Sequence, residues 1–441
     1  MRIRLAAVAV VALMAPKLGS QTIADAELLA EINKIKAIDN HAHPKRVLKE
    51  GESDPETDFA DPVESPMDMP VRLRPDNQEH VAAQQALYLA GESGDKKPSP
   101  EELSAAKKRV HQEQGDAFPN WVLDRLNIDV MFANRVTMGR GLAAPRFLWV
   151  PFADGFLFPL DNTTAGAANP DYRGQIDGAR RVLQRYQRDA RVEKLPDTLA
   201  GYLSKVVDAT LVRQKESGAV AVKFAAAYMR SLDFGNPPEA DASRIYARFA
   251  KGGSPAPADY KTVQDFVFRH VAAKAGELGL AIHLHTGAGA SGFFNQSGAN
   301  AFLLEPVLND PKLRQTKFVL VHGGSPFAQQ IRMLLYKPNV YADFSAQTFL
   351  LSTRELSGVL RSWLEFVPEK VLFGTDAFEI TPEVGWPELA WLSTRSAREG
   401  LALALTGMMA DGQITRDRAM ELARMVLRDN ARTLYGLSER R

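Results

Sequence analysis

Eight short apolar segments alternate with longer amphipathic segments along this 441-residue chain, and this alternation restricts the fold more than any other feature. Several of the short segments are nearly continuous apolar runs, as expected of parallel strands that are buried on both faces. The predicted strands lie at 36–39, 128–133, 147–152, 219–224, 280–285, 318–322, 340–344 and 371–374. Eight strands joined by helical crossovers predict an α/β fold, a closed TIM-type (β/α)8 barrel. A doubly wound open sheet is the alternative.

The segments between the strands carry the helical patterns, and two of them are unusually long. Helices are predicted at 100–114, 179–190, 199–215, 263–278, 328–335, 354–366, 387–400 and 416–435. A long insertion at about 44–127 separates the first two strands, and a shorter one at 154–178 follows the third. Loops of this length in a compact domain are often functional lids. The alternatives are decoration or a homodimer contact.

The N-terminus has the composition of an export signal. A basic n-region precedes an apolar run at 5–15, which is too short for a bilayer span of roughly 20 residues. We therefore predict a signal peptide over 1–26, with the barrel domain at 27–441, and a periplasmic or extracellular location. A buried N-terminal helix is the alternative. Later segments do not predict a membrane span, so none is expected in the mature chain.

Charge and cysteine content exclude several classes of function. The net charge is +1, so no overall field attracts nucleic acid, and a nucleic-acid partner is not expected. The chain contains no cysteine, which excludes disulfides, thiolate zinc sites, iron–sulfur clusters and a cysteine nucleophile. Any metal must therefore be held by His, Asp, Glu or a modified Lys.

Histidines concentrate at the ends of the predicted strands. His41 and His43 alternate in an extended segment, so both side chains point to one side. His285 and His322 end two later strands, and Asp376 follows the last strand. Burying imidazoles and a carboxylate beside apolar strands is costly unless something pairs with them, and one metal ion would pair with all of them. The pattern therefore predicts a metal site.

Lys223 ends another predicted strand, and a lysine is almost never buried without a partner. Three roles stay open at this point. It could be carbamylated and bridge two metal ions, hold a substrate carboxylate as an unmodified cation, or extend to the barrel mouth without a catalytic role.

Together, these segments resemble the amidohydrolase superfamily, in particular its amidohydrolase-related branch, over roughly 35–437. The matching stretches are Asp39-Asn40-His41-Ala42-His43, Ala221-Val222-Lys223-Phe224, Ile282-His283-Leu284-His285-Thr286-Gly287, Val321-His322-Gly323-Gly324, Tyr341-Ala342-Asp343-Phe344-Ser345, Leu372-Phe373-Gly374-Thr375-Asp376-Ala377 and Asp429-Asn430-Ala431-Arg432-Thr433-Leu434-Tyr435-Gly436-Leu437. The resemblance implies a metal ligand set of His41, His43, Lys223, His285, His322 and Asp376. His283 departs from the pattern and leaves the fifth-strand ligand open between itself and His285.

Zinc is the first choice of metal, with one or two ions, because it accepts imidazole and carboxylate ligands and keeps an open position in catalytic sites. Manganese and iron are alternatives, since ligand type alone does not select among these metals.

The reaction implied is hydrolysis of an amide, ester or lactone bond in a small-molecule substrate. The metal would lower the pKa of a bound water and polarise the scissile carbonyl. Asp376 would act as general base and then as general acid, and His322 would polarise the substrate if it is not a ligand. The alternatives are a metal-dependent decarboxylase or hydratase on the same scaffold, and a non-catalytic exported binding protein.

Two further motifs suggest other chemistry. Residues 287–292 match G-x-G-x-x-G after a strand, which would indicate a dinucleotide site if a helix followed. The residues that follow do not predict a helix, so the glycines are interpreted as allowing a tight loop. His322-Gly323-Gly324-Ser325 is similar to an esterase oxyanion segment, but no G-x-S-x-G nucleophile motif occurs.

Overall fold

The computed structural model describes residues 23–48, 51–52, 54, 69–89, 98–290, 292–381 and 383–438. Most of the predicted signal peptide, residues 1–22, lies outside these ranges, as do parts of the long insertion. No helix in these ranges is long and apolar enough to cross a bilayer.

All eight predicted strands are present. They are β1 Ala37–Ala42, β2 Ile128–Asn134, β3 Phe147–Val150, β4 Ala221–Phe224, β5 Ala281–His285, β6 Phe318–Val321, β7 Val340–Asp343 and β8 Val371–Leu372. The largest difference is in β1, which extends three residues beyond its predicted end at Asp39 and so includes His41. Polar residues end the apolar pattern there, but the backbone stays paired with β2 as far as Ala42.

The strands form two parallel sheets, ordered β1-β2-β3 and β4-β5-β6-β7-β8. Backbone hydrogen bonds also join the sheet edges: Lys223 N–H donates to Pro151 O (2.8 Å), and Asn40 N–H donates to Phe373 O (2.9 Å). Neighbouring strands follow one another in sequence, without the reversal of strand order that defines a doubly wound sheet. The order therefore contradicts the doubly wound alternative.

Helices fill the connections between strands. They are α1 Ala26–Asn33, α2 Gln78–Tyr88, α3 Pro100–Gln114, α4 Phe118–Arg125, α5 Thr163–Ala168, α6 Arg173–Asp189, α7 Leu199–Tyr202, α8 Ala209–Glu216, α9 Glu239–Phe249, α10 Pro257–Glu277, α11 Glu305–Leu308, α12 Arg332–Leu335, α13 Gln347–Leu350, α14 Thr353–Leu364, α15 Trp386–Ala410, α16 Arg416–Arg424 and α17 Asn430–Tyr435. Single π-helical segments join α7 to α8 and α16 to α17. The prediction of a helix over 328–335 was wrong at its start, because a series of i→i+3 turns precedes α12.

The C-terminal helix α17 packs against the first residues of the strands. Ala431 belongs to an apolar cluster with Ile38, Val319 and Leu372, and Tyr435 packs against the same cluster. This cluster lies between the strands and α17. The carboxyl ends of the strands, where the predicted site residues lie, are at the opposite end.

The long insertion is tied to helix α15 and to the segment after β7. The fully buried Glu388 of α15 accepts a hydrogen bond from Tyr88 of α2 (3.0 Å) and pairs with Lys107 of α3 (2.9 Å). Arg72 donates to the carbonyls of Thr348 (3.0 Å) and Leu351 (2.6 Å). These contacts fasten the insertion beside the carboxyl ends of the last two strands.

The contacts of Arg72 predict that this residue holds the insertion in place. We expect Arg72→Met to loosen the insertion without unfolding the rest, because two partly buried carbonyls lose a charged donor, at a cost of about 1–3 kcal/mol each. Limited proteolysis should cut within 44–127 faster than in the parent protein. Arg74→Met is the matched control, since Arg74 is exposed and its side chain, among the described residues, donates locally to Met69 O (3.0 Å). Equal cleavage rates for both variants would contradict this role of Arg72.

Candidate metal centre

The predicted site residues converge at one end of the two sheets. His41 lies near the end of β1, His285 ends β5, and His322 directly follows β6. Lys223 is the third residue of β4, and Asp376 follows β8 by four residues. The carboxyl ends of parallel strands meet at the same edge, so residues far apart in sequence reach a common point.

Asp376 lies at the centre of this group. Its Oδ1 is 3.1 Å from His41 Nε2 and 3.5 Å from His43 Nε2, and its Oδ2 is 3.8 Å from His322 Nδ1. His41, His322 and Asp376 each offer one ligand atom within 4.8 Å of the other two. This is the geometry of three donors that could share one cation.

The remaining predicted ligands contact this group from its sides. Lys223 Nζ lies 3.2 Å from His41 Nε2, and His285 Nδ1 lies 3.1 Å from His322 Nε2. His283 lies two residues before the end of β5. Its Nε2 is 2.6 Å from the Tyr435 hydroxyl instead. The structure therefore brings all six predicted ligands together and places His283 in a different set of contacts.

Burial favours the neutral form of four of these imidazoles, while the Asp376 carboxylate beside them stays ionised. Burial lowers the pKa of His283 and of His285 to about 3, and it lowers the pKa of His41 and His322 well below the usual imidazole value. Burial acts to raise the pKa of Asp376, but His322, His43 and Lys223 outweigh it, so the pKa is lowered. Neutral imidazole and ionised carboxylate are the forms that bind metal ions.

The donor set fits a divalent ion. Two imidazole nitrogens bound to one tetrahedral zinc lie about 3.3 Å apart when each Zn–N distance is about 2.0 Å. The nitrogens of His285 and His322 are 3.1 Å apart, close to that spacing. Several imidazoles and one carboxylate, without thiolate, suit zinc and other first-row divalent ions.

Backbone strain coincides with the site. His322 (φ 66°) and Asp376 (φ 52°) are both in the left-handed region, which non-glycine residues rarely adopt. Gly323 continues this turn at φ 54°, and a Cβ there would lie 2.3 Å from the Trp363 side chain. Such strain persists only where the surrounding structure enforces it, and it clusters at functional sites.

Asp39 connects the two strands that carry His41 and Asp376. Its carboxylate accepts hydrogen bonds from Thr375 N (2.9 Å), Thr375 Oγ1 (2.6 Å) and the backbone N–H of His41 (3.1 Å). Burial raises the pKa of Asp39 to about 7, against the effect of these hydrogen bonds. Sequence reasoning did not single out Asp39, although it precedes the histidine pair by two residues on the same strand face.

A second buried carboxylate supports His322. Asp343, the last residue of β7, accepts hydrogen bonds from the backbone N–H of His322 (3.0 Å) and from the Asn40 side chain (2.8 Å). Ser345 Oγ lies 2.9 Å from His322 Nδ1. Burial raises the pKa of Asp343, while its hydrogen bonds act in the opposite direction. Asp343 was missed, although its position at the end of a strand, like that of His285, was an available signal.

Two other side chains steady the segment around the histidine pair. The Asn134 amide nitrogen, at the end of β2, lies 2.8 Å from His41 Nδ1 and donates to Ala42 O (3.1 Å). The fully buried Arg135 donates to Pro44 O (3.0 Å) and pairs with Asp54 (2.9 Å). Nε2 of His41 is thereby directed towards Lys223 and Asp376.

The glycine-rich loop after β5 has no dinucleotide geometry. The described residues between Gly287 and Asn300 form turns and no helix, so no helix N-terminus is available for a pyrophosphate. Gly287 has φ 77°, and a Cβ there would lie 2.0 Å from Ser325 O. The absence of a side chain at Gly287 therefore allows the loops that follow β5 and β6 to pack closely. Tyr228 packs beside them, with its ring centroid 4.6 Å from that of His285.

Comparison with known proteins identifies relatives in sequence. A sequence model of the amidohydrolase family matches residues 168–437, a range that includes Lys223, His285, His322 and Asp376. Protein fluG of Emericella nidulans is 27% identical over 236 residues, which are 51% of this chain and 26% of fluG. The chain thus spans about a quarter of the length of that relative.

Solved structures share the fold over nearly the whole chain. A protein described as a metal-dependent hydrolase, from Lactobacillus casei, aligns with a TM-score of 0.63 at 14% identity, covering 94% of this chain and 98% of its own. The glucuronate isomerase of Caulobacter crescentus aligns with a TM-score of 0.57 at 15% identity, covering 94% of each chain. At such identities the likeness is one of fold.

The buried imidazoles generate a pH prediction. Between pH 6.5 and 3 the unfolded chain binds a proton at position 283 that the folded chain does not, because the folded pKa is about 3. Stability therefore falls on acidification through this window. We expect His283→Gln to make the fall in the free energy of unfolding shallower, by up to about 1.4 kcal/mol per pH unit. Urea unfolding of metal-free protein between about pH 6 and about pH 4.5 measures this slope.

His270→Gln provides the comparison, since His270 lies partly exposed on α10 beside Asp208 (2.7 Å). An unchanged slope in His283→Gln, relative to that control, would mean that His283 is not held neutral by burial.

Proposed function

Because the chain belongs to the amidohydrolase family, we propose that it is a metal-dependent hydrolase that cleaves an amide, ester or lactone bond of a small-molecule substrate. The observation that carries this proposal is the ionised Asp376 in contact with three buried or largely buried imidazoles at the strand ends. A buried group of this composition is costly without a cation, and it supplies both metal ligands and a proton acceptor.

The proposed metal ligands are those in contact with one another. They are His41, His43, Lys223, His285, His322 and Asp376. Zinc is the proposed metal, on the basis of its preference for nitrogen and oxygen donors. The number of ions depends on Lys223, which is 2% exposed and 3.2 Å from His41 Nε2. A carbamylated Lys223 would hold two ions, and an unmodified lysine would leave one.

A bound divalent ion would supply Lewis acidity and lower the pKa of a water molecule in the site. The protein contributes the proton transfers. Asp376 is suited to them because its side chain is 14% exposed, whereas those of His41 and His322 are almost fully buried. As an ionised carboxylate it would accept the proton of the attacking water and return that proton to the leaving group. His322 would orient the substrate carbonyl if it is not itself a ligand.

The two sheets are proposed to complete one (β/α)8 barrel. Hydrogen bonds at both edges support this, since those of Lys223 link β4 to the segment after β3, and Asn40 links β1 to the residue after β8. The long insertion, fastened by Arg72 and Glu388, is proposed to act as a lid over the open end of the barrel. A homodimer contact through this insertion is the alternative role.

We expect the purified protein to contain stoichiometric metal and to hydrolyse members of a panel of esters, lactones and amides. Elemental analysis and product detection measure both. Asp376→Asn should lower kcat by about 10²–10⁴-fold with a much smaller effect on KM, because proton transfer is lost while the substrate still binds. Asp208→Asn, on the surface beside His270, is the control.

Four outcomes of these assays would change the proposal. Metal with release of carbon dioxide would favour a decarboxylase, and metal with water addition or removal would favour a hydratase. Protein that folds but binds no metal would contradict both enzyme hypotheses and favour a binding protein. An unchanged kcat in Asp376→Asn would remove Asp376 from the mechanism.

Export is proposed from the N-terminal sequence. Asp25 accepts a hydrogen bond from Leu28 N–H (2.8 Å), which caps α1, and pairs with Arg416 (3.1 Å). Cleavage at the predicted boundary, after residue 26, would remove Asp25 and both contacts. We therefore propose that the mature chain begins earlier, between Gly19 and Asp25. N-terminal sequencing of protein from the periplasm or medium tests this. An intact N-terminus on protein in the cytoplasm would contradict export.

A further inference from the structure

A continuous set of polar side chains runs beneath the metal centre, from His322 at the carboxyl end of the strands to the C-terminal helix. We call it the lower network. Its members are His283, Tyr435, Asn40, Asp343 and Ser345. With the exception of Tyr435, all of them lie in or just after strands, and the proposed chemistry uses none of them.

Asp343 is the acceptor on which the lower network converges. Its Oδ1 accepts hydrogen bonds from the backbone N–H groups of His322 (3.0 Å) and Ser345 (3.1 Å) and from the Ser345 hydroxyl (2.5 Å). Its Oδ2 accepts one from the Asn40 side-chain amide (2.8 Å). Four donors surround this carboxyl group, so its role in the network is that of an acceptor.

The donor directions determine which nitrogen of His322 carries hydrogen. The Ser345 hydroxyl gives its only proton to Asp343, so its oxygen must accept from His322 Nδ1, 2.9 Å away. Nδ1 of His322 is then protonated, and the lone pair is on Nε2. That is the nitrogen which lies 3.1 Å from Nδ1 of His285, another of the proposed ligands.

At the other end of the lower network, Tyr435 sets the orientation of the Asn40 side-chain amide. Its hydroxyl donates to Asn40 Oδ1 (2.6 Å) and lies 2.6 Å from His283 Nε2, which is then the donor to it. Because the hydroxyl holds Asn40 Oδ1, the amide nitrogen of Asn40 must face Asp343. Asn40 is also the residue immediately before His41, so the same contact fixes the strand that carries the first histidine pair.

We propose that Tyr435 is a positioning residue for the metal centre: from the C-terminal helix, it fixes the Asn40 amide and, through Asp343 and Ser345, the ring orientation and tautomer of His322. This inference rests on the proposed metal-dependent function. Outer partners of metal-binding histidines fix tautomer and orientation, and their loss typically costs 10–100-fold in metal affinity. The consequence is that the last helix of the chain contributes to metal binding at the opposite end of the fold.

Tyr435→Phe removes one hydroxyl and keeps the ring that packs against Phe132, at a centroid distance of 4.5 Å. Tyr341→Phe is the matched control, because Tyr341 lies in the same apolar cluster and contacts Lys370 through its ring (4.2 Å). We expect Tyr435→Phe to weaken Zn²⁺ binding about tenfold in chelator competition and to alter the visible absorption of the Co²⁺-substituted protein. Tyr341→Phe should change neither, and the two metal-free variants should melt at similar temperatures.

A charge exchange tests the direction of the hydrogen bonds. Asp343→Asn should weaken Zn²⁺ binding at least as much as Tyr435→Phe, because a second amide nitrogen would face that of Asn40. The double variant Asn40→Asp with Asp343→Asn restores a donor opposite an acceptor while keeping an acceptor for Tyr435. It should recover most of the lost affinity. If Tyr435→Phe does not fold, the comparison of Asp343→Asn with the double variant still tests the inference.

The outcomes separate this inference from the proposed function. A parent protein that binds no Zn²⁺ or Co²⁺ would contradict the metal site itself. A parent protein that binds metal, with Tyr435→Phe and Tyr341→Phe equal in affinity and in Co²⁺ spectrum, would overturn the positioning role alone. Failure of the charge exchange to recover affinity would overturn the assigned hydrogen-bond direction.

Discussion

The contact between the Asp376 carboxylate and the imidazoles of His41, His43 and His322 is the interaction on which the rest of the site depends. Taken out of water, a carboxylate and several imidazoles each lose hydration that apolar strands cannot replace. Here the imidazoles of His41 and His322 stay neutral, and the carboxylate stays ionised against the effect of burial. The result is a pre-assembled set of ligand atoms for a cation, which is why the function is proposed to require a metal.

Holding these donors together requires a second layer of interactions. Asp39 ties the strand of His41 to the segment of Asp376 through Thr375, and Asp343 ties the strand of Asn40 to the turn of His322. Both carboxylates are fully buried and receive several hydrogen bonds each. These bonds help to maintain the left-handed backbone of His322 and Asp376, because strain of this kind persists only where neighbouring contacts enforce it.

Strands and ligands could be predicted from the sequence because each carries a local signal. A strand buried on both faces is an apolar run, and a histidine or acid at its end interrupts that run, as at His285 and His322. Residues that act by contacts across the fold carry no such signal. Asn40 and Ser345 read as ordinary polar residues, and Tyr435 as part of an amphipathic helix. The partners of Asn40 lie 303 and 395 positions away, and Ser345 contacts His322, which follows another strand. The choice of the fifth-strand ligand between His283 and His285 likewise depended on the position of Tyr435. The spacing of residues in the sequence does not give that position.

The proposed function requires that one end of the two sheets binds a divalent metal between His41, His322 and Asp376. Anomalous diffraction at the zinc absorption edge, from crystals of metal-free protein soaked in Zn²⁺, tests it most directly. We expect a peak about 2.0–2.2 Å from an Asp376 oxygen and from imidazole nitrogens of this group. A peak bound only by other residues, or fully folded protein with no peak at these three residues, would contradict it.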